Sequence, residues 1–182
     1  GEYSWYSMPM FVDFPVKDRE TWYEYRKRLD PNDPRRYPKD WDPEAYAQSL
    51  EAYQDGPTMM RFNGFYGFGA ELMGIPSFNV AFYKDPELVK DMMDFQATFL
   101  VESVRNAVEA LGSDIDLVLI HEDMSYKHGP HISPKLFREF ILPGYKKVTG
   151  FLKKNGVETI FVDTDGNPIP LIPLLIEGGV NG

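Results

Sequence analysis

The feature that most limits the fold is an alternation of strand-like and helix-like patterns over residues 57–182. Residues 116–120 read Asp-Leu-Val-Leu-Ile, a nearly continuous apolar run typical of a parallel strand that is covered on both faces. Thr58–Phe62 and Val157–Val162 predict two more strands, and Val180 predicts the start of a fourth. Parallel strands need crossover helices between them, so the sequence predicts an α/β fold, either an open sheet or a barrel.

Capping residues mark the helices between these strands. Asp85-Pro86-Glu87 starts a helix whose apolar residues recur at helical spacing until Gly112. Ser133-Pro134 starts another, which we expect to kink or break at Pro143-Gly144 and to end near Asn155-Gly156. A last helix is predicted from Asn167 to Gly178-Gly179.

The glycine-spaced segment Gly64–Gly69 follows the first strand and is predicted to form a loop and a short helix. Its glycines indicate tight turns and close packing rather than phosphate binding, because no Lys-Ser/Thr pair follows them.

Residues 1–56 predict an irregular and helical lead-in to the same single domain, which we expect to span residues 1–182. One helix is predicted near Asp18–Leu29 and a second from Asp42 to about Tyr53. An eight-unit (β/α)8 barrel needs about 250 residues. Since the chain shows only about four units, we expect about half of such a barrel.

Composition excludes several classes of partner. A net charge of -9 and a pI near 4.8 oppose binding to nucleic acid or to an anionic membrane surface. The longest apolar run, Ile169–Ile176, is too short to span a bilayer, and the N-terminus lacks a signal-peptide layout. The chain has no cysteine, so any metal would need oxygen or imidazole ligands, and a cytoplasmic location is expected.

Polar residues gather where the three predicted strands end, the place where α/β proteins bind ligands. They are Arg61 and Asn63 after the first strand, His121, Glu122, Asp123 and Tyr126 after the second, and Asp163, Asp165 and Asn167 after the third.

Carboxylates that converge at one edge repel one another, so they need a cation, a shared proton or basic partners such as Arg61, Lys127 or His128. Two functional interpretations follow. One is a divalent-metal site, zinc or magnesium, with the ligands Glu122, Asp123, Asp163 and Asp165. The other is acid/base catalysis by Asp123, Asp163, Tyr126 and His121, with substrate held by Arg61, Asn63 and Asn167.

A purely structural alternative stays open for the same residues. Glu122 and Asp123 could cap loops and pair with basic residues, while Asp163 and Asp165 form an Asx-type turn with Gly166.

The order of several motifs resembles the uroporphyrinogen decarboxylase superfamily over nearly the whole chain. They are Phe14–Arg19, Arg35-Arg36-Tyr37-Pro38, Asp85–Val89, Glu122-Asp123, Ile132-Ser133-Pro134 with Phe137, Pro143-Gly144-Tyr145, Asp163–Gly166 and Glu177–Asn181. The resemblance implies a (β/α)8 barrel. It also implies one of two activities: cofactor-free porphyrinogen decarboxylation, or zinc-dependent methyl transfer with corrinoid proteins.

The chain departs from both branches. The methyltransferases carry a His-x-Cys-Gly zinc motif where this chain has Asp163-Thr164-Asp165-Gly166, which excludes a thiolate zinc site here. The decarboxylases bind a substrate with many carboxylates and need a positive pocket, whereas the strand ends here are mostly acidic.

Three hypotheses follow. The first is an enzyme of this superfamily that acts on a small methylated or carboxylated substrate, with methyl transfer to a corrinoid protein favoured. The second is authentic uroporphyrinogen decarboxylation, in which Asp163 assists proton transfer and Tyr126 donates a hydrogen bond. The third is a binding module without catalysis. A homo-oligomer is a further expected partner, because open strand edges invite pairing.

Overall fold

The computed structural model describes residues 13–36, 39–50 and 56–182. Within these ranges the chain forms α1 (Arg19–Arg26), α2 (Pro43–Leu50), β1 (Met59–Asn63), α3 (Tyr66–Met73), α4 (Ile75–Lys84), α5 (Pro86–Leu111), β2 (Leu117–His121), β3 (Ser125–Tyr126), β4 (Gly129–Pro130), α6 (Pro134–Leu136), α7 (Leu142–Lys154), β5 (Ile160–Asp163) and α8 (Ile172–Glu177). The predicted end of the second helix, near Tyr53, lies outside the described residues.

Strands β1, β2 and β5 form a parallel sheet in the order β1-β2-β5. Helices α3, α4 and α5 connect the first two strands, and α6 and α7 connect the second two. The α/β class predicted from the sequence is therefore confirmed, although each strand begins one to three residues later than its apolar run.

The two faces of the sheet differ in burial. Val118 and Ile120 of β2 are fully buried in the core that the sheet shares with α3, α5 and α7. Leu117 and Leu119 face the other way and are half-buried. On that second face Phe161 is 39% exposed. In the described part of the chain, helices thus cover one face and leave the other face open.

Helix α5 begins and ends where its capping residues predict. The Asp85 side chain accepts a hydrogen bond from the Leu88 amide at 3.2 Å. Gly112 ends the helix with a φ of 52°, a left-handed conformation that glycine adopts without strain.

The helical segment after Ser133 is interrupted, but before the predicted place. Residues Phe137–Ile141 form one π-helical turn, and α7 then starts with Pro143 in its first turn. Because proline has no N–H group, it cannot continue the hydrogen-bond ladder of the preceding turn. The break therefore falls on the residues N-terminal to Pro143.

Two features were not predicted. The segment after β2 contains the short antiparallel pair β3–β4, and α4 is a separate helix after α3. No strand forms at Val180 in the described residues. Instead, the Asn181 and Gly182 amides donate to the Ile160 carbonyl at 3.0 and 3.2 Å, beside the outer edge of β5.

None of the helices in the described part of the chain is both long enough and apolar enough to cross a membrane.

Candidate functional site

The ends of the three parallel strands place Asn63, His121 and Asp163 in one row. Asn63 is the register partner of His121, and His121 is the register partner of Asp163. Neighbouring strands lie about 4.8 Å apart, so the row spans about 10 Å. All three side chains belong to the open face of the sheet, because they continue the half-buried and exposed positions of each strand. The sequence placed these residues together correctly, and their roles stay predictions.

Arg61 lies on the same open face, two residues before Asn63, and pairs in register with Leu119. It is exposed and forms a second row with Leu119 and Phe161. The Arg61 guanidinium therefore lies on the open face, two residues further from the strand ends than the row of Asn63, His121 and Asp163.

Asn63 and His121 also line an open cavity of about 410 Å³ together with Glu71 and Asp123. This volume is in the range of small-molecule sites. Most of the remaining wall is apolar and comes from Phe14, Ala70, Ile75 and Pro76. Gly67 and Glu122 complete the lining. Because the Glu122 side chain is fully buried, the polar side chains open to the recess are two carboxylates, one imidazole and one amide.

Sequence reasoning missed Glu71. Its Oε1 accepts a 3.4 Å hydrogen bond from Asn63 Nδ2, which links α3 to the end of β1. The face of α3 that meets the cavity depends on where the helix starts. The only signal in the sequence was the acidic residue itself, one helical turn beyond Gly67.

Asp123 turns the chain sharply after β2. Its φ of 45° is left-handed, a conformation that aspartate tolerates better than most residues do. The turn leaves the carboxylate exposed, with Oδ2 3.7 Å from His121 Nε2. The imidazole and the carboxylate thus lie close together in the cavity lining, and both are groups that can transfer protons.

Glu122 does not belong to the polar edge where the sequence placed it. The side chain is fully buried and accepts hydrogen bonds from four donors. Oε1 accepts from Phe65 N at 2.8 Å and from Tyr145 Oη at 2.6 Å. Oε2 accepts from Tyr66 N at 2.8 Å and Gly67 N at 3.2 Å. The reason is strand alternation, which sends Glu122 into the helix layer when His121 faces the open side.

Burial raises the pKa of the Glu122 carboxyl, and its hydrogen bonds from the backbone and Tyr145 oppose that change. Burial also raises the pKa of Tyr145 well above its usual value, with a further contribution from Glu122. Tyr145 therefore keeps its proton and remains a donor to the carboxyl group. The amides at the start of α3 add the positive end of the helix dipole.

The glycines of the β1–α3 loop make room for this buried carboxyl group. A Cβ on Gly64 would overlap Glu122 Oε1, and one on Gly67 would lie 3.2 Å from the Glu122 carbonyl oxygen. The predicted role of the glycines in close packing is confirmed. The backbone amides that hold phosphate in other glycine-rich loops here hold the carboxyl group of the protein itself.

The loops after β2 and β5 are joined by hydrogen bonds. Met124 N donates to Thr164 Oγ1 at 3.0 Å, and Asn167 N donates to the Tyr126 carbonyl at 3.0 Å. Asn167 Oδ1 accepts from Ile169 N at 3.2 Å, so this side chain caps the turn before α8. The substrate contact predicted for Asn167 stays a prediction.

Tyr126 is 54% exposed and lies on the β3–β4 hairpin, outside the cavity lining. Its ring centroid is 5.7 Å from that of His128 and 6.5 Å from that of His131. The structure therefore places Tyr126 outside the cavity that Asn63 and His121 line, and its role stays a prediction.

The four predicted metal ligands do not come together. In the described residues no group of three or more histidine, aspartate or glutamate side chains is placed to hold a metal ion. Glu122 is buried among four donors, while Asp123, Asp163 and Asp165 are exposed. A zinc site takes three or four protein ligands. The residues present in this part of the chain do not meet that requirement.

These features define an α/β protein with a candidate site at the carboxyl ends of parallel strands. A sequence profile of the family described as Uroporphyrinogen decarboxylase (URO-D) matches residues 69–180. The match covers more than half of the chain, and the protein therefore belongs to this family.

A solved structure of a methyltransferase from Methanosarcina mazei is similar in fold, with a TM-score of 0.57 and 17% sequence identity. The similarity covers 76% of this chain and 39% of that one, so the chain spans well under half of the methyltransferase. No curated protein matches the sequence.

Proposed function

We propose that the chain is part of a (β/α)8 barrel enzyme of the URO-D family that moves a methyl group from a small methylated substrate to a corrinoid protein. The observation that carries the proposal is the row of Asn63, His121 and Asp163, two of which line the apolar-walled cavity. The likeness to a methyltransferase supports methyl transfer over decarboxylation.

His121 is the proposed proton donor. When a substrate oxygen or nitrogen loses its methyl group, that atom gains a proton and leaves as the demethylated product. Asp123 Oδ2 lies 3.7 Å from His121 Nε2 and would help to orient the imidazole that supplies this proton. Asn63 and Asp163 lie on either side of His121 and would orient the substrate.

The charge of the cavity disfavours a polycarboxylate substrate. Glu71 and Asp123 line it, and no lysine or arginine of the described residues does. Authentic uroporphyrinogen decarboxylation remains the second candidate because the family profile carries that description. In that reaction Asp163 would assist proton transfer and Arg61, on the same open face, would bind a substrate carboxylate.

A binding module without catalysis fits the structure less well. Such a module would be expected to pair its acidic side chains with internal basic residues. Among the described residues, neither Asp163 nor Asp165 forms an ion pair, and Asp123 pairs only with His121.

The proposal is tested with the full-length protein and free cob(I)alamin as methyl acceptor. Methanol, methylamines and methoxybenzoate serve as donors, and methylcobalamin formation is followed by absorbance. We expect His121→Ala to lower the rate about 100-fold, as loss of a general acid commonly does. Asp163→Asn should lower it too. Asp94→Asn, an exposed carboxylate on α5, serves as the control and should leave the rate unchanged.

A parallel incubation with uroporphyrinogen separates the alternatives. Stepwise loss of carboxylates, without methyl transfer from any donor, would contradict the proposal and establish decarboxylation. Inactivity in both assays would favour a binding module.

A further inference from the structure

Glu122 lies between two cavity-lining residues in the sequence, and its side chain contacts the start of α3, a helix that also lines the cavity. His121 and Asp123 line the cavity on either side of it, while its own carboxyl group points into the helix layer. There it accepts hydrogen bonds from the backbone amides of Phe65, Tyr66 and Gly67 at the start of α3. Helix α3 carries Ala70 and Glu71, which also line the cavity.

The connection extends to α7. Tyr145 Oη donates to Glu122 Oε1 at 2.6 Å, and the Tyr145 ring packs on Phe65 with the centroids 5.1 Å apart. The same buried group therefore joins the end of β2, the start of α3 and the middle of α7.

A second side chain holds the loop from the other direction. Gln96 of α5 donates to the Gly64 carbonyl at 3.0 Å, and the Gly64 amide donates to the His121 carbonyl at 2.7 Å. The loop can shift only if these contacts and the bonds to Glu122 change together. Among the residues that hold this loop, only Glu122 lies between two cavity-lining residues in the sequence, His121 and Asp123.

We propose that Glu122 is a positioning residue that sets the distance between the two walls of the cavity. One wall is α3 with Ala70 and Glu71, and the other is the end of β2 with His121 and Asp123. Glu122 is itself part of the cavity lining, but its side chain is fully buried, so we expect its carboxyl group to act through these walls. The consequence for the reaction rests on the proposed function, whereas the consequence for the cavity does not.

Glutamine in place of Glu122 would change the spacing because of its hydrogen-bonding groups. A carboxylate offers acceptors at both oxygens, and all four partners here are donors. The amide of glutamine keeps one acceptor and places an N–H₂ donor against the remaining backbone amides. The start of α3 must then move away from the end of β2, or leave buried amides unpaired.

Because the chain has no cysteine, a single introduced thiol can report how accessible the α3 wall of the cavity is. Ala70→Cys places one thiol in the cavity lining, and its rate of reaction with Ellman's reagent reports access to α3. We expect Glu122→Gln to raise that rate about fivefold through local opening. Glu139→Gln, an exposed glutamate before α7, is the matched control and should leave the rate unchanged.

The same Glu122 and Glu139 variants, without the thiol, are then assayed for methyl transfer. Displacement of a catalytic wall by about 1 Å can cost up to about 100-fold, so we expect kcat/KM to fall at least tenfold in Glu122→Gln. Tyr145→Phe keeps the carboxyl group and removes one of its four bonds, so its effects should be smaller and in the same direction. If Glu122→Gln does not fold, the comparison is made with Tyr145→Phe.

Each outcome decides the proposal. An unchanged thiol rate in both variants would overturn it. A faster thiol reaction with unchanged kcat/KM would overturn the positioning role in the reaction, because the wall would then move without affecting catalysis. If the wild-type protein transfers no methyl group, the proposed function fails, and the thiol rates alone decide whether Glu122 fixes the cavity.

Discussion

At the scale of single residues, the contact between Gly64 and Glu122 places a strict limit on position 64. A methyl group at position 64 would overlap the Glu122 carboxyl group, which is held by four donors and cannot move freely. We expect Gly64→Ala to destabilise the protein by about 2–3 kcal/mol, measured by urea unfolding, as overpacking in a core does.

Gly150→Ala is the control for that substitution. Gly150 lies inside α7, and a Cβ there meets no atom within 4 Å. Alanine should therefore stabilise this helix by about 0.5–1 kcal/mol. Equal effects of the two substitutions would show that the overlap at position 64 is relieved at no cost.

Part of the candidate site could be predicted from the sequence. Strand alternation explains which residues were placed correctly and which were not. Asn63, His121 and Asp163 are terminal residues of three parallel strands, so their meeting follows from topology. Glu122 looked equivalent to His121 and Asp123 in the sequence. Its inward direction follows from alternation, because the helices cover the face of Val118 and Ile120, and the nearly continuous apolar run at residues 116–120 does not show which face that is.

At the scale of elements, α5 is held at its start by a cap that is also part of an ion pair. Asp85 caps the helix through Leu88 N, and its carboxylate accepts from Arg19 Nε at 2.9 Å. The Arg19 guanidinium lowers the pKa of Asp85 below its usual value of 3.8. A lowered folded-state pKa means that the stabilisation is complete above the unfolded pKa and is lost as pH falls through the folded pKa.

Asp85→Ala should therefore destabilise the protein by about 1 kcal/mol at pH 7, the usual effect of losing a cap. The difference from wild type should begin to shrink as pH falls below about 5 and continue to shrink as pH falls through the lowered pKa of Asp85, where the carboxylate takes up a proton. Urea unfolding at each pH measures it. Asn106→Ala, an exposed and non-titrating position in α5, should show the same effect at every pH. A pH-independent effect of Asp85→Ala would argue against the pair with Arg19.

The elements predicted best are those with a recognisable capping residue at each end. Helix α5 has a capping aspartate and a terminal glycine, and both ends agree with the sequence. The β3–β4 hairpin has two residues in each strand, too few for any periodicity to appear. The π-helical turn at Phe137–Ile141 arises from the missing N–H of Pro143 and from packing, and only the proline is visible in the sequence.

At the scale of the whole molecule, the open face of the sheet is the main exposed apolar feature of the β-sheet layer. Met59 is 54% exposed and Phe161 39% exposed on this face. In a closed barrel such side chains would lie inside, so the 182-residue chain should self-associate through them.

Sedimentation velocity over a range of concentrations measures this association. Met59→Lys combined with Phe161→Lys should lower the concentration-dependent increase in mass, because two charges resist burial. Tyr83→Lys, at a 75% exposed tyrosine on α4, should have little effect. Equal association of the double variant and wild type would place the contact elsewhere on the molecule.

The carboxyl group held by the β1–α3 loop also has an evolutionary consequence. Gly64 and Glu122 are far apart in sequence, yet neither can change alone without overlap or unpaired amides. We expect the two positions to covary among relatives, with a side chain at the first only where the second is shorter. Such a pair would mark which branches of the family share this internal arrangement of loop and helix.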